Sequence, residues 1–378
     1  METRFQLDFN QRPYIVIWET TQACDLACVH CRASAQSLRH PLELSTAEAT
    51  RLIEQVAELA APVFVLTGGD PLKRPDIYEL VEFATGLGVR TSLTPSATPL
   101  LTRDAIAELQ KRGLARLAVS LDGSTPALHD DFRRVAGSYD WTLRAVRWAR
   151  ELGLPVQINS TITRRNVADF DSMVRLLESL DIVLWSVFFL VPTGRGKSSD
   201  LVTAEEFEQV FEKLYQTAGR VPFDIKTTEA QHYRRYLLQR RAAARAAGDD
   251  SALKPTAAMA VASAVVGPDG IARAPRGLND GKGFMFISHL GEVYPSGFLP
   301  VSAGNVRKQS LADLYRHSPL FTALRDTARL EGKCGVCEFK EICGGSRARA
   351  YALTGSPFAE EPCCVYQPKR EEVASRES

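Results

Sequence analysis

Along the first 220 positions, short runs crowded with β-branched and aromatic residues alternate with longer stretches whose apolar positions recur every three or four residues. Six of the runs are too short for a helix and read as inner strands: 14–21 (YIVIWETT), 63–68 (VFVLTG), 89–94 (VRTSLT), 116–122 (RLAVSLD), 156–163 (VQINSTIT) and 185–191 (WSVFFLV). The stretches between them carry helix punctuation. Ser45 with Glu48 and Thr203 with Glu206 have capping-box spacing, and Pro75 suits a first helical turn. Phe170, Met173, Val174 and Leu177 share one stripe, as do Phe207, Val210, Phe211 and Leu214, so each helix has a side to lay against a sheet. Alternating strands and helices predict an α/β fold with a parallel sheet. Six units make a partial (β/α)6 TIM barrel, two short of the closed cylinder. The alternation stops near Gly219, which leaves an open side for a large substrate.

Beyond that point the pattern changes. Residues 229–247 read as a basic helix with a solvated face carrying Arg234, Arg235, Arg240, Arg241 and Arg245. A Gly/Pro/Ala-rich passage, 248–283, reads as a linker or mobile loop. A hairpin follows, 284–288 and 292–294 around His289-Leu290-Gly291, and then short helices at 311–315 and 320–325. The expected organisation is a core over 1–220, a helical segment and linker over 221–283, and a small terminal domain over 284–378.

Charge and composition narrow the function classes. Lys+Arg 46 against Asp+Glu 45 gives a net charge of +1, without the basic excess of a phosphate-neutralising nucleic-acid binder. A 45% hydrophobic share is too apolar for a disordered chain. The longest apolar stretch, 182–192, is about half the roughly 20 residues that cross a bilayer, and the N-terminus has no apolar signal core. A cytoplasmic protein without nucleic-acid or membrane partners is expected.

The eight cysteines fall into two groups, Cys24, Cys28 and Cys31 near the start and Cys334, Cys337, Cys343, Cys363 and Cys364 near the end. In a large chain such groups read as metal ligands rather than disulfides. Cys24-Asp-Leu-Ala-Cys28-Val-His-Cys31 directly follows the first strand, at the carboxyl end of the barrel strands where barrel enzymes keep their chemistry. Three thiolates at this spacing hold three irons of a [4Fe-4S] cube and leave the fourth open for a cofactor. A structural zinc site is the alternative, but it wants four ligands, and His30 is poorly placed beside Cys31 to complete one.

CxxxCxxC after a first strand resembles the signature of the radical SAM superfamily. The resemblance implies that the open iron binds S-adenosylmethionine, whose one-electron cleavage gives a 5′-deoxyadenosyl radical that abstracts a substrate hydrogen. Other matches fall at successive strand ends. Gly68-Gly69-Asp70-Pro71 is similar to the GGE(P) motif, with Asp for Glu, implying that Gly68, Gly69 and Asp70 meet the methionine end of the cofactor. Ser120 and Asp122 resemble the ribose and carboxylate contacts. Asn159 and Thr161 stand where polar contacts from the fifth strand are expected, and Val191 opens VPTGRG, which looks like the adenine-side segment.

Cys334, Cys337 and Cys343, in CxxCxxxxxC spacing, with Cys363 or Cys364 some twenty residues on, can close a second cluster. Zinc is again the alternative, because CxxC pairs also build zinc ribbons. The segment resembles the SPASM or twitch extension of radical SAM enzymes. A two-cluster module has further cysteines where this chain reads Tyr294-Pro295-Ser296-Gly297 and Gly344-Gly345-Ser346-Arg347, so the resemblance implies one auxiliary [4Fe-4S] cluster. Adjacent cysteines point apart in an extended segment, and the family pattern, with its cysteine two residues after a proline, favours Cys364.

WETTQAC, LVPTGRG, CGGSRARAYALTG and EEPCC together resemble the radical SAM enzymes of heme biosynthesis. That implies hydrogen abstraction from a tetrapyrrole propionate, decarboxylation with the auxiliary cluster taking the remaining electron, and a flavodoxin or ferredoxin as electron donor. A peptide-modifying maturase is the second reading. About thirteen residues precede the first strand, whereas such maturases usually carry an N-terminal peptide-gripping domain. A non-enzymatic iron-sulfur or zinc scaffold is the third. His129, Tyr233, Arg347 and Arg349 read as structural or solvated.

Overall fold

The computed structural model describes residues 8–248 and 277–369. All six expected strands form: β1 (Ile15–Glu19), β2 (Val63–Thr67), β3 (Thr91–Leu93), β4 (Arg116–Ser120), β5 (Val156–Ile162) and β6 (Leu184–Phe189). Each pairs in parallel with the next, with Ile15 opposite Val63 and Val119 opposite Ile158. Between them run α1 (Thr46–Glu58), α2 (Ile77–Gly86), α3 (Arg103–Lys111), α4 (Pro126–Arg133), α5 (Ser138–Glu151) and α6 (Phe170–Ser179), and α7 (Ala204–Ala218) follows β6. Both expected capping boxes close, and the predicted stripes of α6 and α7 are buried. Pro75 lies outside the first turn of α2, one residue ahead of the N-cap Asp76.

The sheet does not end at six strands. A seventh, β7 (Asp224–Thr228), pairs in parallel with β6, so the alternation continues past Gly219. Its sequence, DIKTT, buries only Ile225, and a half-buried terminal strand needs no apolar run to pair. The predicted hairpin forms as β8 (Phe284–Ile287) and β9 (Glu292–Tyr294), with β10 (Gly304–Asn305) beyond. β8 lies parallel to β1, Ile15 opposite Phe284. Among the described residues the sheet is therefore one body, in the order β10-β9-β8-β1-β2-β3-β4-β5-β6-β7.

The basic helix is α8 (Tyr233–Ala246). Its face is only partly solvated. Arg240 and Arg245 are exposed, but Arg235 is buried in an ion pair with Glu208, and Arg234 donates to the Ile342 carbonyl at 3.0 Å. The linker expected over 248–283 lies, from 249 to 276, outside the described residues. Its end is built in, because the buried Asp280 accepts from Ala348 N at 2.9 Å. The short helices appear as α9 (Leu311–His317) and α10 (Pro319–Arg325), followed by α11 (Gly332–Gly335) and α12 (Arg347–Thr354). Among the described residues no helix is long and apolar enough to cross a membrane.

The core lies between the sheet and its helices, and it is rich in aromatic rings where β6, α7 and α8 meet. Phe211 has ring centres 5.6 Å from Phe189, 4.9 Å from His232 and 5.1 Å from Tyr233. Phe211→Ala is expected to cost about 3–5 kcal/mol. Leu100→Ala, at a largely exposed position, should cost nearly nothing. Thermal unfolding midpoints of the two anaerobically purified variants check this.

Candidate active site

The site grows from the end of β1. Thr20 N donates to Thr67 O at 2.8 Å, which carries the β1–β2 ladder one step further, and Cys24 N then bonds Gln36 O at 2.7 Å while Gln36 N bonds Gln22 O at 3.0 Å. The cysteine loop is thus closed at its base. Cys24 and Cys28 are buried and Cys31 is half-buried. Donors already point at the sulfurs: Leu26 N at 3.3 Å from Cys24 Sγ, Ala35 N at 3.5 Å from Cys31 Sγ and Arg133 Nη1 at 3.5 Å from Cys28 Sγ. Ser96 Oγ lies 3.3 Å from Cys24 Sγ. Burial raises the Cys24 thiol, so its thiolate needs a bound cation.

Two glycine pairings let other strand ends press on this loop. Gly69 N donates to Thr21 O at 2.7 Å and Asp70 N to Ala23 O at 2.6 Å. A Cβ on Gly68 would lie 2.5 Å from Thr21 O, and one on Gly69 2.5 Å from both Gln22 O and Ala23 O. From β6, Arg195 N donates to Cys31 O and Arg195 Nε to Cys28 O, both at 2.9 Å. The neighbouring Gly194 has φ +60°, and a Cβ there would lie 2.3 Å from Arg32 O. The VPTGRG segment therefore braces the cysteine loop from the side.

Cys24, Cys28, Cys31, Gly68, Gly69, Ser120, Asn159, Thr161 and Val191 all line one cavity of about 190 Å³ at the carboxyl ends of the strands. The carboxylates of Asp70 and Asp122 do not line it. Asp70 is fully buried, accepting from Leu72 N at 3.1 Å and Thr98 Oγ1 at 3.0 Å, and desolvation raises its pKa to about 6. Asp122 pairs with Arg133 and accepts from Thr161 N at 2.7 Å. Its carboxylate thus orients the arginine that reaches Cys28. Of these two acids, one caps a turn and the other positions a cation.

Residues the sequence did not single out complete the wall. Ser96 closes β3 and also donates to Gly69 O at 2.8 Å; the strand-end rule that found the others applies to it. Arg133 and Arg32 carried no sequence signal. His30 lines the cavity with its ring 4.8 Å from Phe132, and burial lowers its pKa to about 4, so it is neutral at pH 7. His129 is buried and accepts from Asp122 N at 3.1 Å, and Tyr233, Arg347 and Arg349 are buried too, none of them solvated.

The second cysteine group surrounds a separate small cavity. Cys334, Cys337, Cys343 and Cys364 line it together with His232, Arg235, Lys333, Lys340 and Glu361. Cys363 does not; it packs into the hydrophobic core. Gly345 N lies 3.4 Å from Cys343 Sγ and Glu361 N 3.3 Å from Cys334 Sγ. Burial pushes the Cys343 thiol up to about 12. Four thiols with amide donors around them fit an iron-sulfur cluster, as three do in the larger cavity.

These two centres define a barrel enzyme of the iron-sulfur radical class. The radical SAM superfamily profile matches residues 18–177, and an iron-sulfur cluster-binding SPASM domain matches 279–338. The AdoMet-dependent heme synthase of Oleidesulfovibrio alaskensis is 39% identical over 366 residues, 96% of this chain and 89% of its own. The PqqA peptide cyclase of Rhodopseudomonas palustris is 30% identical, over 96% and 89%. Streptococcus suis SuiB bound to S-adenosylmethionine shares the fold, with a TM-score of 0.70 and 18% identity over 94% of this chain and 78% of that one. The chain belongs to the radical SAM superfamily and is an enzyme that uses a [4Fe-4S] cluster, S-adenosylmethionine and auxiliary iron-sulfur chemistry. That sets aside the non-enzymatic scaffold.

Gly194→Ala is expected to push the cysteine loop out of place. Iron per chain after anaerobic reconstitution should fall, while Gly86→Ala, a helical position with open space around its Cβ, should keep the full complement.

Proposed function

We propose that this enzyme acts in the cytoplasm on a propionate side chain of a porphyrin-like tetrapyrrole and decarboxylates it oxidatively, a hydrogen atom and carbon dioxide leaving to give a vinyl group while the remaining electron passes to the auxiliary cluster, with a flavodoxin or ferredoxin supplying the electron that starts each cycle. Cys24, Cys28 and Cys31 would hold the reducing cluster, Gly68 and Gly69 would cradle the methionine end of the cofactor, and Ser120, Asn159, Thr161 and Val191 would line its remainder. Asp70 and Asp122 would support these contacts from behind. Cys334, Cys337, Cys343 and Cys364 would hold one auxiliary [4Fe-4S] cluster in a terminal domain over 284–378, joined through 221–283 to the core over 1–220. When bound, the cluster and S-adenosylmethionine supply one-electron hydrogen-atom abstraction.

The barrel lumen carries this reading. A second cavity, of about 160 Å³, runs inside the sheet from Tyr14, Val63 and Leu184 up to Thr67, Thr94, Asn159, Phe188 and Phe298, which it shares with the cofactor cavity. Its wall is apolar, with the rings of Phe188, Phe284, Phe286 and Phe298. Arg32, Arg116 and Lys226 are its charged residues, and no Asp or Glu is among the described lining. Arg32 lies 4.3 Å over Phe286 and 2.9 Å from the buried Glu19, and it is the cation that this cavity shares with the cofactor cavity. An apolar slot with cations at its edge suits a flat, polyanionic ring system. The shared boundary at Thr67, Asn159 and Phe188 is where a side chain reaching up from the lumen would meet the cofactor cavity. The similarity to a heme synthase supports the same substrate class. The similarity to a peptide cyclase supports a peptide as the second reading.

Anaerobic reconstitution should give about eight irons per chain, and about half that after Cys24, Cys28 and Cys31 are replaced by Ala. With reductant and S-adenosylmethionine, mass spectrometry of candidate tetrapyrroles should show loss of carbon dioxide. Turnover of a peptide with every tetrapyrrole left intact would select the second reading.

A further inference from the structure

His232 stands just ahead of α8, in the segment the sequence presents as a solvated basic helix. It is 1% exposed, and neither Nδ1 nor Nε2 has a hydrogen-bond partner. An imidazole in any protonation state carries at least one N–H. Leaving that donor buried and unpaired is costly, and native structures avoid it. One side of the ring is closed by Phe207 and Phe211, with centres 5.0 and 4.9 Å away. Its other side lines the small cavity of Cys334, Cys337, Cys343 and Cys364.

The one carboxylate lining that cavity already takes three hydrogen bonds from elsewhere, none of them from His232. Glu361 Oε1 accepts from Cys363 N at 3.0 Å, and Glu361 Oε2 accepts from Ser346 N at 2.8 Å and Arg349 Nη1 at 3.1 Å. The remaining charged lining residues, Arg235, Lys333 and Lys340, are donors. His232 bonds none of the protein groups lining the cavity, and the acceptors its four cysteines bring there are sulfur, as thiolate or inorganic sulfide.

We infer that His232 donates a hydrogen bond to a sulfur of the auxiliary cluster and thereby sets that cluster's reduction potential, an inference that rests on the four-cysteine site proposed above. Hydrogen bonds to cluster sulfurs stabilise the more negative, reduced state and raise the potential. His232 is in this sense a positioning and tuning residue rather than a ligand, and four thiols leave no iron for it to bind.

The test uses the full chain with Cys24, Cys28 and Cys31 replaced by Ala, so that only the auxiliary cluster contributes signal. An EPR-monitored redox titration compares His232 with His232→Phe and His232→Gln in this background. The expected result is unchanged iron and sulfide content in all three, a more negative potential in His232→Phe, and recovery of most of the shift in His232→Gln, which restores a donor. Pulsed EPR should show weak nitrogen coupling that disappears in His232→Phe. An unshifted potential with the cluster retained overturns the inference. So does strong nitrogen coupling in the parent, which would make His232 a ligand, or loss of iron in both His232 variants. Replacing Cys334, Cys337 and Cys343 together by Ala separates the two levels: iron content unaffected by that change overturns the cluster site itself, whatever His232 does.

Discussion

A guanidinium shut away from water ties the two halves of the chemistry together. Arg349 of α12 is fully buried, bonding Glu361 at 3.1 Å, the Leu190 carbonyl at 3.3 Å and the carbonyl of Glu229. The two backbone groups close β6 and β7, and Leu190 lines the cofactor cavity. Glu361 faces the other way, lining the auxiliary cavity and presenting its amide to Cys334 Sγ. Removing one partner from such a pair costs about 3–5 kcal/mol because the other charge stays buried. Ser346 adds a second tie, its hydroxyl bonding Glu229 Oε2 at 2.5 Å. This polar seam ties the two cysteine groups alongside an apolar cluster of Val191, Leu299, Leu324 and Ala348.

On the barrel side the governing constraint is steric. Two strand ends converge on one loop and approach it through their backbones: Gly68 and Gly69 from β2, and Gly194 with Arg195, whose side chain adds a bond of its own, from β6. Side chains at those glycines would collide with carbonyl oxygens at 2.3–2.5 Å. The result is a loop whose sulfurs face a cavity while its peptide groups are paired outward. Below it the lumen continues as a second cavity whose charged lining residues are all cations, Arg32, Arg116 and Lys226.

Much of this could be read from residue order, for physical reasons. β1, β2 and β6 were visible as nearly unbroken apolar runs, and β5 (VQINSTI) by its β-branched residues and alternating burial. The cysteine spacing and its place after β1 gave the cofactor class. β7 was missed because Asp224, Lys226 and Thr228 carry no such run, and the pairing of β8 with β1 leaves no local trace. Side-chain direction was also beyond reach: Asp70 and Asp122 occupy the expected strand ends, yet both carboxylates turn away from the cavity towards Thr98 and Arg133. His232 was hidden because a buried ring at the head of an arginine-rich helix looks like any polar surface residue.

The parallel pairing of β8 with β1 also bears on how the polypeptide matures. The contact between Glu19 and His289 spans 270 positions, so at a synthesis rate of about 5–20 residues per second the outer edge of the first strand waits roughly 15–50 seconds for its neighbour. Throughout that interval a nascent β-rich half carries an open hydrogen-bonding rim, beside oxygen-sensitive thiols. Such a rim is a template for aggregation, which gives ribosome-associated chaperones and the iron-delivery machinery a common window in which to act.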